Sequence, residues 1–316
     1  MAACWPESSK LPTVLSLAPY SRPAMPRLST GVPGLDELLG GGLLPGTLSV
    51  VVGSTGIGKT QLGLQFAQAG LTQEGRSGIV FDMSSRGDSQ NHAVYVQRMF
   101  GRELTSLPPA DHVPLEHFFR PDGQLGEYLH VFDQTGRRVT RNDLDFDGWQ
   151  EWQGQLARRL AVSIAFFYGH LVRGVRRAVI DGIEPVDRPS DSIQFELFEY
   201  LYHQILRKDP EWVARDLFRE QFRAHAHEVA EHLYDPTEVG CLLLSTSHET
   251  TLDGLLERPL DEGDVLSNAN TVIYLGKIRD GNRFSRALYV AKHRGSACQD
   301  EIVPYRIDNT GLRLEV

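Results

Sequence analysis

The sequence predicts an α/β protein with a largely parallel, twisted sheet between helices, and three observations carry that prediction. A short β-branched run, residues 48–52, leads straight into a glycine-rich loop and then into a helix-forming stretch, residues 61–69. Further apolar runs that end in polar or acidic residues recur at 77–85, 128–133, 178–181 and 240–249, as expected of buried strands whose carboxyl ends face a ligand crevice. Between them, Trp149, Trp152, Leu156, Leu160, Ile164, Phe167 and Leu171 recur every three or four residues, which predicts one long amphipathic helix over 148–173.

The loop reads Gly53-Ser54-Thr55-Gly56-Ile57-Gly58-Lys59-Thr60 and fits the phosphate-binding pattern G-x-x-x-x-G-K-[ST] at every fixed position, with the strand before it and the helix after it. Glycines at positions 53, 56 and 58 let successive backbone N–H groups converge on a phosphate. Lys59 adds a point charge for the outer phosphates, the Thr60 hydroxyl suits Mg²⁺, and the helix amino terminus favours an anion. With Gln61, the first residue after the motif, residues 53–61 form the candidate contact set for a nucleoside triphosphate.

A chain of 316 residues, 41% of them hydrophobic, can bury a large core. Its net charge of −9 argues against a surface that simply coats nucleic acid, so DNA is a possible but not favoured partner. The three cysteines, Cys4, Cys241 and Cys298, are scattered and contain no C-x-x-C, so neither a disulfide framework nor a zinc site is indicated and a reducing cytoplasm is expected. The apolar patch at 11–18 lacks a basic leader, and no run reaches the ~18 residues of a membrane helix.

Residues 1–26, with five prolines among small and polar residues, read as a mobile arm ahead of a domain spanning 27–316. The stretch that follows, S-T-G-V-P-G-L-D-E-L-L-G-G-G-L-L-P-G-T over 29–47, carries a helical turn at 36–39 closed by glycines, and runs directly into the phosphate loop. Leader and loop together resemble a KaiC-like ATPase of the RecA superfamily, with further similarity to the RadA-like branch. The resemblance extends over about 27–83, 175–184 and 240–316. It implies a RecA-like core that binds ATP and Mg²⁺.

In such ATPases an acid at the end of the second strand handles the attacking water, usually as one of two adjacent acids. Here Asp82 is followed by Met83, so the resemblance offers Asp82 as the base with a shortened arm and implies slow hydrolysis; a plain turn cap is the other reading of Asp82. Residues 84–127, with four prolines, read as irregular and yield no chemistry. The run Ala178-Val179-Ile180-Asp181 fits the Walker B strand, which makes Asp181 the second Mg²⁺ ligand beside Thr60. Glycine follows Asp181, so the catalytic carboxylate must come from Asp82 or from Glu184.

Two long helices, over 193–208 and from 209 to about 234, suggest a helical insertion at 186–237. Its His225, His227, His232, Glu228 and Glu231 read as a solvated or partner-facing helix rather than a metal site. Thr246, Ser247 and His248 stand where RecA-like proteins place a γ-phosphate sensor. Ser267 falls in a stretch that resembles the autophosphorylated segment of some KaiC members. Asp280-Gly281-Asn282 joins two hairpin strands that end in Lys292-His293-Arg294-Gly295-Ser296, similar to the K-x-R-G-S of KaiC-like domains. The resemblance implies that Lys292 and Arg294 reach the γ-phosphate of a neighbouring copy, hence a homo-oligomer with nucleotide between subunits. The expected function is a slow ATPase whose nucleotide state controls assembly or an unknown protein partner; a DNA recombinase or mediator, a non-hydrolysing switch and an autokinase are the alternatives.

Overall fold

A computed structural model describes residues 26–84, 91–107, 118–120, 125–132, 145–185, 192–257, 265–295 and 300–315. The amino-terminal arm, Asp133, Ser296 and the first part of the 186–237 segment lie outside the described residues. In chain order the regular elements are α1 (Leu35–Leu38), β1 (Leu48–Gly53), α2 (Lys59–Gln73), β2 (Ile79–Asp82), α3 (His92–Phe100), β3 (Tyr128–His130), α4 (Phe146–Leu171), β4 (Arg177–Ile183), α5 (Ile193–Leu201), α6 (Pro210–Phe218), α7 (Phe222–Glu231), β5 (Gly240–Thr246), α8 (Leu252–Glu257), α9 (Val265–Asn268), β6 (Thr271–Asp280), β7 (Arg283–His293), β8 (Val303–Asp308) and β9 (Gly311–Leu314).

The strands form one nine-stranded sheet in the order β3-β2-β4-β5-β1-β6-β7-β8-β9. Strands β3 to β6 of that order run parallel, and β7, β8 and β9 add an antiparallel edge. The α/β expectation is met. The four central strands β2, β4, β5 and β1 are buried along nearly their whole length, because helices cover both faces and leave no polar side for alternation.

The two faces have separate cores. On one, Phe81, Phe166 and Phe167 meet under α4, with the Phe81 and Phe167 rings 5.2 Å apart, and the helices between β4 and β5 continue that layer through Phe198, Phe218 and Val229. On the other, Leu62, Leu64 and Phe66 of α2 pack on Val51, Val179 and Leu244. The leader is fixed to this second face by polar contacts: Asp36 accepts from the Ser29 hydroxyl (2.6 Å) and the Thr30 N–H (2.7 Å), and the wholly buried Arg177 donates to the Ser29 carbonyl and pairs with Glu74 at 2.8 Å.

Two local expectations change. Residues 84–127 are not uniformly irregular: α3 starts on an Asn91 side chain that accepts from Val94 N–H, and it stops at Gly101 with φ 69°. The helix expected from 209 to 234 is two helices, α6 and α7, separated by a 3₁₀ turn that begins at Arg219, which has φ 48° and so cannot continue a right-handed helix. The break re-aims the chain so that Phe218 is buried from α6 and Val229 from α7.

Candidate nucleotide site

Gly53 ends β1 with the Leu275 carbonyl of β6 only 2.5 Å from where a Cβ would stand, so the requirement there is close approach rather than an unusual φ. Gly58 does need its freedom, with φ 114° at the start of α2. Lys59 is 6% exposed and turns back onto its own loop, donating to the carbonyls of Gly53 (2.9 Å) and Ser54 (3.0 Å). Burial lowers its pKa to about 8, against a raising influence from Asp181. From the sheet edge, the Tyr305 hydroxyl of β8 donates to the Ile57 carbonyl at 2.6 Å and steadies the loop.

The loop meets β4 at Asp181. The Thr60 hydroxyl donates to Asp181 Oδ2 at 2.8 Å, and Asp181 Oδ1 accepts the Gly182 N–H at 2.7 Å. A hydroxyl that gives its proton to a carboxylate keeps its lone pairs, so Thr60 and Asp181 together present the hard oxygen donors that Mg²⁺ requires; the residues fit the ion.

Next to Asp181 the structure explains both departures from the paired-acid pattern. Gly182 has φ 87°, sits at an irregularity in the β4–β5 register, and a Cβ on it would meet the Ser84 backbone nitrogen at 2.2 Å. An acid after Asp181 would be strained and would force the Ser84 backbone to move. Met83 is fully buried in the core on the α4 side, so an acid in its place would lie in an apolar layer, facing away from Asp82. Glu184 is half-buried past the strand end, where its N–H donates to the Gln194 side chain.

Asp82 does reach the site, and it is 1% exposed. Oδ1 accepts the Ser84 N–H at 2.8 Å, which is the turn-capping role; Oδ2 accepts the Tyr128 hydroxyl at 2.8 Å. Between Asp82 and Asp181 lies the His92 ring, a residue that the sequence reading passed over. His92 Nε2 is 3.1 Å from Asp181 Oδ2, and Nδ1 is 3.5 Å from Asp82 Oδ2. Burial disfavours charge on both His92 and Asp181, but their mutual attraction outweighs it, holding the histidine above its usual pKa and the aspartate below its own.

Of the sensor candidates, Thr246 lies opposite Gly53 in register and the Ser247 N–H donates to the Gly53 carbonyl at 3.0 Å, while the Ser247 hydroxyl oxygen accepts from Glu249 N–H; His248 is exposed. Lys292 and Arg294 are elsewhere. Gly53 is level with Leu275, but Lys292 is level with Val272, and Arg294 N–H donates to the Asn270 carbonyl. The basic pair therefore sits at the opposite end of the sheet from its own phosphate loop, roughly 10–16 Å along the strands at ~3.3 Å per residue. Arg27 of the leader secures that corner through the Gly42 and Gly295 carbonyls, 3.1 Å each. Lys292 Nζ donates to the Ser267 carbonyl at 2.8 Å, and burial followed by the charge of Arg294 lowers its pKa. Ser267 thus shares the Lys292 corner.

The KaiC ATPase family profile matches residues 28–125, which hold the leader, the loop, α2 and β2. Over those residues the chain is similar to the KaiC ATPase family. Similar curated proteins include the circadian clock protein KaiC2 of Synechocystis sp., 31% identical over 104 residues (31% of this chain, 17% of that protein). A UPF0273 protein of Saccharolobus solfataricus is 40% identical over 76 residues (24% and 25%), and the DNA repair and recombination protein RadB of Thermococcus onnurineus is 51% identical over 53 residues (17% and 22%). Each match spans about a quarter or less of the relative's own length. A crystal structure of a KaiC-like protein from Pyrococcus horikoshii aligns with 92% of this chain and 99% of its own at 18% identity and a TM-score of 0.48.

Among the described residues, the helices between β4 and β5 group no three His, Cys, Asp or Glu side chains that could hold one ion. His225 pairs with Glu228 at 2.7 Å and His227 with Glu231 at 3.4 Å, as surface ion pairs. The buried Cys241 thiol is pushed up to about 12 by burial and is unreactive. No helix among the described residues is long and apolar enough to cross a membrane.

Proposed function

We propose that this chain binds ATP·Mg²⁺ on residues 53–61, hydrolyses it slowly, and completes each site with Lys292 and Arg294 of a neighbouring copy, so that nucleotide state governs assembly or partner binding. The observation that carries the reading is the Thr60–Asp181 contact beside the folded-back Lys59. Lys59 would turn from its two carbonyls to the phosphates, Thr60 and Asp181 would hold the ion, and Thr246 or Ser247 would report the outer phosphate. The ion, when bound, neutralises charge on the phosphate oxygens. Asp82 takes the proton of the attacking water. Its carboxylate already accepts from Ser84 and Tyr128, which restrains it and supports slow turnover. The same restraint favours a second reading, a nucleotide switch with no turnover of its own.

The position of Lys292 and Arg294 at the far end of the sheet supports a role in trans, because within one chain they face away from the phosphates. Sizing the protein with and without ATP·Mg²⁺ tests the assembly: a larger species with nucleotide is expected, and a monomer in both conditions would remove the trans role. A Lys59→Ala chain that binds ATP as tightly as the wild type would remove the site. Turnover that rises severalfold with added single-stranded DNA would favour the recombinase alternative instead.

A further inference from the structure

Strands β2 and β4 are parallel neighbours, and their register sets Asp82 directly beside Asp181. Two carboxylates so placed, 1% and 2% exposed, repel each other in a medium that screens poorly unless a donor stands between them. His92 is that donor. It opens α3, its ring is itself buried, and it lies against the Tyr128 ring at 5.1 Å. Nε2 reaches Asp181 Oδ2, the same oxygen that takes the Thr60 proton. Nδ1 is buried without a hydrogen-bond partner and faces Asp82 Oδ2. The two ring nitrogens thus face the two carboxylates, so the histidine bridges them.

We propose that His92 is a positioning residue that aims the Asp181 carboxylate at the metal, with its other ring nitrogen set against Asp82 at 3.5 Å. This rests on the ATP·Mg²⁺ reading of the site. Hydrogen-bond partners that orient a metal-ligating group commonly change metal affinity by 10–100-fold when removed. A histidine that merely neutralised two buried acids would, when removed, leave more negative charge beside the ion and keep or enlarge what the metal adds to nucleotide binding.

The test is calorimetric titration of the whole chain with ATP in EDTA and with ATP plus Mn²⁺, for wild type, His92→Gln, His92→Asn and Tyr128→Phe. In the histidine variants, affinity for ATP in EDTA should stay within about twofold of wild type. The gain that Mn²⁺ brings should shrink by about 10–100-fold. Tyr128→Phe, which removes the other side-chain donor to Asp82, should keep the full gain. Histidine variants that also keep the full Mn²⁺ gain overturn the proposal. A wild type with no Mn²⁺ gain removes the ATP·Mg²⁺ reading, and this inference with it. If neither histidine variant folds, a crystal structure of wild type with Mg²⁺, ADP and aluminium fluoride decides: Nε2 still within hydrogen-bond distance of Asp181 upholds the role, and a ring turned away from Asp181 overturns it.

Discussion

The two ends of the parallel strands are built to different standards. At the carboxyl ends, Lys59, Asp82, His92 and Asp181 are all buried, and each meets a partner or a charge of the other sign within the same chain. At the amino ends, Arg294 is exposed and Lys292 half-buried, two cations on one strand end, with Lys292 donating to the Ser267 carbonyl. Buried charge is costly unless paired, so the first corner can hold its geometry before any ligand arrives. The second corner brings two cations together, and the charge of Arg294 adds to burial in lowering the Lys292 pKa. That difference supports the proposal of a site shared by two copies.

Breaking the exposed corner has the largest expected effect. Arg294→Ala should lower ATP turnover by about 10³-fold, the scale of a charge-stabilising arginine, while a single chain still binds ATP. A steady-state phosphate-release assay beside a binding titration checks both halves. Asp82→Asn should cost on the order of 10²-fold in turnover if the proposed role as general base holds. Equal rates for the two proteins would show that Asp82 only caps the turn at Ser84.

A smaller effect separates the corners by pH. Unliganded Lys59 has its pKa lowered to about 8, while the unfolded chain keeps the ordinary lysine value. The phosphates need the charged form, so ATP affinity should be flat below pH 8 and fall by about tenfold per pH unit above it, with proton uptake on binding visible by calorimetry in different buffers. The sign for stability is opposite. The unfolded chain binds the extra proton above pH 8, so the unliganded protein gains stability from this group between about pH 8 and 10.5. A pH-independent affinity would place the charge contribution elsewhere. The smallest effect should come from Gly182→Ala, which strains a residue with φ 87° against Ser84 and should cost about 1–3 kcal/mol in a denaturant melt.

Much of the carboxyl-end corner was legible in the sequence because its parts are local. The loop from Gly53 to Thr60 and the run ending in Asp181 each carry their chemistry in consecutive residues, and the hairpin at 280–282 announces its own turn. His92 was not legible. Its importance comes from β2 and β4 becoming neighbours, a long-range pairing, and only the frame of Asn91, His92, Val96, Phe100 and Gly101 hinted that a helix would deliver it. The substitutions at 83 and 182 looked like losses of acid in the sequence. In the fold they follow from a core position and a left-handed turn. The place of Lys292 and Arg294 at the wrong end of the sheet for their own loop also needed the strand register, which sequence spacing does not supply.

A mixing experiment tests the shared site most directly. Arg294→Ala keeps an intact phosphate loop, and Lys59→Ala keeps an intact basic corner, so each alone should turn over little ATP. Combined in equal amounts, the two should form junctions that pair a working loop with a working arginine and recover about a quarter to a half of wild-type turnover. Recovery in that range is the predicted result. A mixture no more active than the sum of its two components, under conditions where sizing shows that the chains assemble together, would contradict the account.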